Sequence, residues 1–215
     1  MSAKSNSDGD ETGQPSNVLL LTSAVDDCEA AACRELSETT HPSRSHVILA
    51  TGLQSPRERL ADWEDDVGVR PAETTVVDLA TATRSAAAST ASVASTGETP
   101  SGPTGPDGVD RWADATVERV AEGDLLELGE TLDGALGGSD RPTTLCVRSV
   151  SDLLQSADVE TVFRFLEALT RGVDRAGGVA HYHLNTDVHD AEIVETLEVL
   201  FDAVVDLNDR EGADV

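Results

Sequence analysis

Lysine is almost missing from this 215-residue chain: Lys4 is the only one, and the other 14 basic side chains are arginines. Aromatic residues make up 3%. The core must therefore be built of Leu, Val, Ile and Ala. No apolar run approaches the roughly 18–20 residues of a membrane span; the longest is Val18-Leu19-Leu20-Leu21. The polar stretch from Met1 to Ser16 has no apolar segment of a signal peptide, so a cytoplasmic location is expected. Cys28, Cys33 and Cys146 are odd in number and form no C-x-x-C pair. They read as small buried hydrophobes in a reducing compartment. No glycine lies between Gly13 and Gly52, and no G-x-S-x-G elbow occurs.

What is abundant is carboxylate. The 41 acids exceed the 15 bases, leaving a net charge of −26. Such a surface repels phosphates and anionic lipid, so neither nucleic acid nor membrane is expected as a partner. The N-terminal 16 residues account for −2 and residues 82–108 for −1, so −23 belongs to the rest of the chain, nearly all of it on segments with core periodicity. An acidic folded body with almost no lysine resembles the proteins of salt-in halophiles. In molar salt the Debye length falls to roughly 3 Å and self-repulsion is screened.

The chain divides into a polar tail (1–16), one domain (17–207) and a second tail (208–215). An Ala/Ser/Thr/Gly/Pro-rich stretch at 82–108 reads as a low-complexity linker that interrupts the domain. Continuous apolar runs predict strands buried on both faces at Asn17–Ser23, His46–Thr51, Thr74–Leu79, Thr143–Val147, Val179–Leu184 and Ala203–Leu207. Helices are expected at about Asp27–Ser37, after the capping signal Ser55-Pro56-Arg57-Glu58, over Asp110–Ala121, after Asp124, through Val159–Val173, and after Asp190. Trp63 and Trp112 are placed on helical core faces. The alternation predicts a three-layer α/β/α domain with a mainly parallel sheet of about six strands.

Ligands of such folds sit at the carboxyl ends of the strands. The first β–α turn, Thr22-Ser23-Ala24-Val25-Asp26-Asp27, lacks the glycines and lysine of a phosphate cradle. Asp26 and Asp27 are expected to cap the following helix, with a Mg²⁺-bridged ligand as the alternative. His181 and His183 alternate on one face of a strand; Asp187 and His189 follow in its loop. These four are candidate metal ligands, weighed against hydrogen bonding within the sheet layer and capping of the next helix.

The run Leu125…Leu136 leading into Thr143-Thr144-Leu145-Cys146-Val147-Arg148-Ser149 resembles the RecA/KaiC-type ATPase core. Asp158–Leu169, Ala180–Asp190 and Leu200–Val205 are similar to segments of an uncharacterised haloarchaeal family of RecA/KaiC-like domains, often labelled transducer-like. The resemblance covers roughly 17–81 and 110–207. It implies a nucleotide site whose positions here are Ser23, Asp26, Asp27, Gln54, Arg148 and Ser149. Taken together these positions form a degenerate site. Arg148 stands where the resemblance implies a metal-handling Asp, and Gly52-Leu53-Gln54-Ser55-Pro56 replaces a stretch with catalytic Glu. Arg148 is expected to pair with Asp26, Asp27 or Asp152, or to bind an anion directly.

The resulting expectation is a catalytically inactive RecA/KaiC-like domain without a cofactor. It would act as a regulatory or protein-interaction module, joined to a protein partner, an active paralogue or copies of itself. The alternative is a ligand- or metal-binding protein, possibly an enzyme, that reuses the crevice through Arg148 and His181/His183/His189.

Overall fold

The computed structural model describes residues 4–5, 14–23, 41–52, 54–80, 112–148 and 150–208. The helix expected at 27–37, the residues Asp26, Asp27, Cys28, Cys33 and Ser149, and the 82–108 stretch lie outside them. Strands β2 (Asn17–Thr22), β3 (His46–Thr51), β4 (Glu73–Ala80), β5 (Thr116–Ala121), β6 (Thr143–Val147), β7 (Val179–Asn185) and β8 (Ala203–Asp206) are joined by parallel pairings. A two-residue strand, β1 (Lys4–Ser5), pairs antiparallel with β8. The order is β1-β8-β2-β7-β6-β3-β4-β5. Lys4 and Ser5, from the polar N-terminal tail, thus occupy one edge.

The expected α/β sheet is present, with seven parallel strands instead of six. The extra one is β5, where a helix over Asp110–Ala121 was expected. The reason is its place at the edge. Only Val120 of its six residues is fully buried, and Glu118 and Arg119 interrupt the alternation that marks a strand. Charges are tolerated there, and they discourage pairing with another chain. Arg119 lies 3.9 Å from Asp78 on β4. Trp112 is buried in the turn before β5, not on a helix.

Five helices flank the sheet among the described residues: α1 (Pro56–Val67), α2 (Leu125–Gly137), α3 (Val150–Ser156), α4 (Val159–Ala176) and α5 (Ala191–Glu198). The capping box at Ser55 forms as its sequence dictates. The Ser55 hydroxyl accepts from Glu58 N, and Glu58 Oε2 accepts from Ser55 N at 2.8 Å. Gly68 ends α1 at φ 70°, a left-handed value that favours glycine. Asp124 and Asp158 cap α2 and α4 through bonds of 3.0 Å from Glu127 N and Thr161 N. Asp190 precedes α5 in the N-cap position but makes no capping bond.

Side chains alternate between the two sheet faces. Leu19, Ile48, Val77, Leu145 and Tyr182 face α2 to α5 in the larger core. Leu128, Leu132 and Leu136 form the buried stripe of α2. On α4 the buried row includes Phe165 beside Val162, Leu166, Leu169 and Val173. The opposite face carries Val47, Leu49, Val76 and Cys146 under Leu60 and Trp63 of α1. The parallel strands buried on both faces therefore have continuous apolar sequences.

Candidate functional site

Two polar groups matter, one at the carboxyl ends of the strands and one inside the sheet layer beneath them.

At the strand ends, Arg148 follows β6 directly. Its backbone N–H donates to Ala50 O at 3.3 Å, continuing the ladder. Its guanidinium lies 3.5 Å from Asp62 Oδ2 on α1. Asp62 Oδ2 also accepts from Gln54 Nε2 at 2.6 Å. Gln54 is held in turn by Thr51, whose hydroxyl donates to Gln54 O at 3.1 Å. Among the described residues Arg148 meets Asp62; Asp26 and Asp27, two of its expected partners, lie outside them. Asp62 lies on α1, which packs on the sheet through Leu60 and Trp63. Ser23 is half-buried just beyond β2.

Inside the layer, strand register assembles a second group. Cys146 and His181 are direct partners in the β6–β7 pairing. The pleat puts His183 on the same face two residues on. Cys146 Sγ lies 3.7 Å from His183 Nε2. The two imidazoles meet edge to face, with centroids 5.3 Å apart. One ligand atom from each of Cys146, His181 and His183 falls within 4.8 Å of the others, and all three residues are buried. Asp187 and His189, the other two expected ligands, do not join this cluster. Asp187 is exposed in a 3-10 turn over Thr186–Val188, and half-buried His189 follows it. Burial lowers the His189 pKa, and the nearby Asp190 carboxylate offsets part of that effect.

Arg59 completes the cluster from α1. It is 1% exposed, and its Nη2 donates to Cys146 Sγ at 3.4 Å. Its Nε and Nη1 have no hydrogen-bond partner. Neither ring nitrogen of the fully buried His181 has one either. A buried polar group left unsatisfied costs about 1–3 kcal/mol, more when it is charged. A cluster with several such atoms is expensive in a structural role alone.

Sequence reasoning found His181 and His183 but missed Cys146 and Arg59 as their neighbours, and Asp62 as the neighbour of Arg148. Arg59 carries a readable signal: it shares the buried face of α1 with Leu60 and Trp63. Cys146 carries none, because only the register with β7 gives it imidazole neighbours.

A further surface feature is an apolar groove of about 460 Å³ between α2 and α4. Leu126 stands 74% exposed on its rim, and Phe165 lies in its wall.

The fold and these groups define a three-layer α/β protein with a parallel sheet, an engaged arginine at the strand ends and a buried Cys/His cluster. The chain belongs to DUF7504, a family of unknown function, which matches residues 15–207. Comparison with curated proteins gives no match. No helix among the described residues is long and apolar enough to cross a membrane.

Proposed function

We propose that this chain is a non-catalytic RecA/KaiC-like domain that works as a regulatory or protein-interaction module in the cytoplasm of a halophilic archaeon. The observation that carries this reading is the engagement of Arg148 by Asp62 and of Asp62 by Gln54. Phosphoryl transfer needs a cation on the phosphates, a metal held by carboxylate, and a group that orients the nucleophile. At the end of β6 the sequence supplies an arginine where the resemblance implies a metal-handling carboxylate. That arginine faces an acid of its own chain. At the end of β3 an amide takes the place of the implied glutamate, and it serves the same ion pair. The chain's one lysine, on the β1 edge strand, is no part of these strand ends.

The interaction half of the reading is supported by the groove between α2 and α4. Contiguous apolar surface on an otherwise charged protein marks contact sites more often than chance exposure does. Hydrolysis of ATP by the full chain, followed in molar KCl with Mg²⁺, tests the proposal. The expected rate equals the protein-free background. Turnover that scales with protein and disappears in an Arg148→Ala variant would overturn it.

The ligand-binding alternative has a specific observation of its own in the Cys146/His181/His183 cluster, whose ligand atoms are already gathered.

A further inference from the structure

The cluster between β6, β7 and α1 has the features of a closed metal site, and they arise independently of the nucleotide question. First, the donors are of the right kind and close to the right separation. Bond lengths of about 2.3 Å to thiolate and 2.0–2.1 Å to imidazole, at a tetrahedral angle, put sulfur and nitrogen roughly 3.6 Å apart. Cys146 Sγ and His183 Nε2 are 3.7 Å apart. Second, His181 is 0% exposed and both its ring nitrogens lack a partner, so a donor atom is buried with nothing to receive it. Third, the other strand partners of the three residues are apolar. Val18 pairs with His181, Leu20 with His183 and Leu49 with Cys146. Such a shell favours soft donors and excludes water.

Arg59 decides which metal. A guanidinium keeps its proton in proteins, so its charge must be met inside the fold. Its one hydrogen bond goes to Cys146 Sγ. A cysteine that ligates a metal does so as the thiolate. Thiolate and guanidinium together are neutral. Adding a monovalent ion leaves one positive charge in the interior, whereas a divalent ion leaves two. Thiolate and imidazole suit both Cu⁺ and Zn²⁺, so the buried charge decides between them.

We propose that Cys146, His181 and His183 form a buried three-ligand site for Cu⁺, with Arg59 as the positioning residue that donates to Cys146 Sγ. The ion ties β6 to β7 beneath α1. It sits in the sheet layer, apart from the Arg148–Asp62 pair.

The test uses the full chain, untagged and reduced, in molar KCl without oxygen. Cu⁺ is titrated against a chromogenic Cu⁺ chelator, with Zn²⁺ as a second arm. A Cys28→Ser/Cys33→Ser chain leaves Cys146 as the one thiol. The expected result is one Cu⁺ per chain in both proteins, tighter than Zn²⁺, with a raised melting temperature on loading. His181→Gln and Cys146→Ser should each weaken Cu⁺ binding at least ~10-fold, the scale of losses at metal sites. No stoichiometric uptake by the wild type, or preference for Zn²⁺, overturns the proposal. Uptake lost in the double-serine chain and unchanged in His181→Gln assigns the metal elsewhere and overturns it too. If the ligand variants do not fold, the melting shift of the double-serine chain decides: no shift with Cu⁺ rejects the site.

Discussion

Arg148 and Asp62 meet at 3.5 Å across the gap between the end of β6 and helix α1, with Gln54 donating to the same carboxylate oxygen. Both side chains of the ion pair keep partial solvent access, 21% and 36%. A half-exposed pair of this kind contributes about 0–1 kcal/mol. Asp62→Ala should therefore lower stability by no more than about 1 kcal/mol, measured by urea unfolding in molar KCl. A much larger loss would mean that the pair organises the strand ends more than its exposure implies.

The helical stripe of α2 makes a sharper contrast. Leu132 is fully buried and Leu126 is 74% exposed. Leu132→Ala removes packed methyl groups and leaves a cavity, at a cost of about 2–5 kcal/mol. Leu126→Ala should cost less than about 0.5 kcal/mol. Equal losses at the two positions would contradict the orientation of this helix.

Two groups at the amino end of the sheet give opposite pH responses. His46, whose Nε2 lies 2.9 Å from Thr75 Oγ1, has its pKa lowered by burial, partly offset by Glu73. The unfolded chain takes up that proton first. The stability due to neutral His46 is complete above the unfolded pKa of roughly 6.5 and is lost as pH falls through the folded value. Asp174 has its pKa raised, chiefly by desolvation and further by Asp202, against the bond from Asn17 Nδ2. Its contribution is complete below the unfolded carboxyl pKa of about 3.9 and is lost as pH rises through the raised folded value. His46→Gln should flatten the melting-temperature profile below about pH 6.5, and Asp174→Asn should flatten it just above about pH 4. Profiles unchanged by either substitution would refute these assignments.

Salt should act on the whole surface. The 41 acids against 15 bases repel one another across the folded body. Diluting KCl from molar to ~0.1 M lengthens the Debye length from roughly 3 to 10 Å and restores that repulsion. The melting temperature is expected to fall steadily over this range. A constant value would contradict the halophilic reading.

Most of the fold could be read from the sequence because its signals are local. β3 and β6 occupy the predicted residues, and Ser55-Pro56-Arg57-Glu58 caps α1 as written. The misread strand, β5, lies where edge position replaces apolar alternation with charge. The cluster was half legible for a different reason. The i, i+2 spacing of His181 and His183 fixes a shared face within one strand. Their meeting with Cys146 depends on the β6–β7 register, and the approach of Arg59 on how α1 crosses the sheet. Those two facts join residues 35 and more positions apart in the chain, and no local pattern encodes them. Residues 24–27 of the first β–α turn, Asp26 and Asp27 among them, lie outside the described residues, so their expected capping role is carried by sequence alone.

Under the proposed function the strand ends do not form a nucleotide site. Isothermal titration of the full chain with ATP and with ADP, in molar KCl and Mg²⁺, tests it most directly. The account predicts no saturable heat for either nucleotide. A one-to-one isotherm with micromolar affinity, weakened by Arg148→Ala, would contradict it.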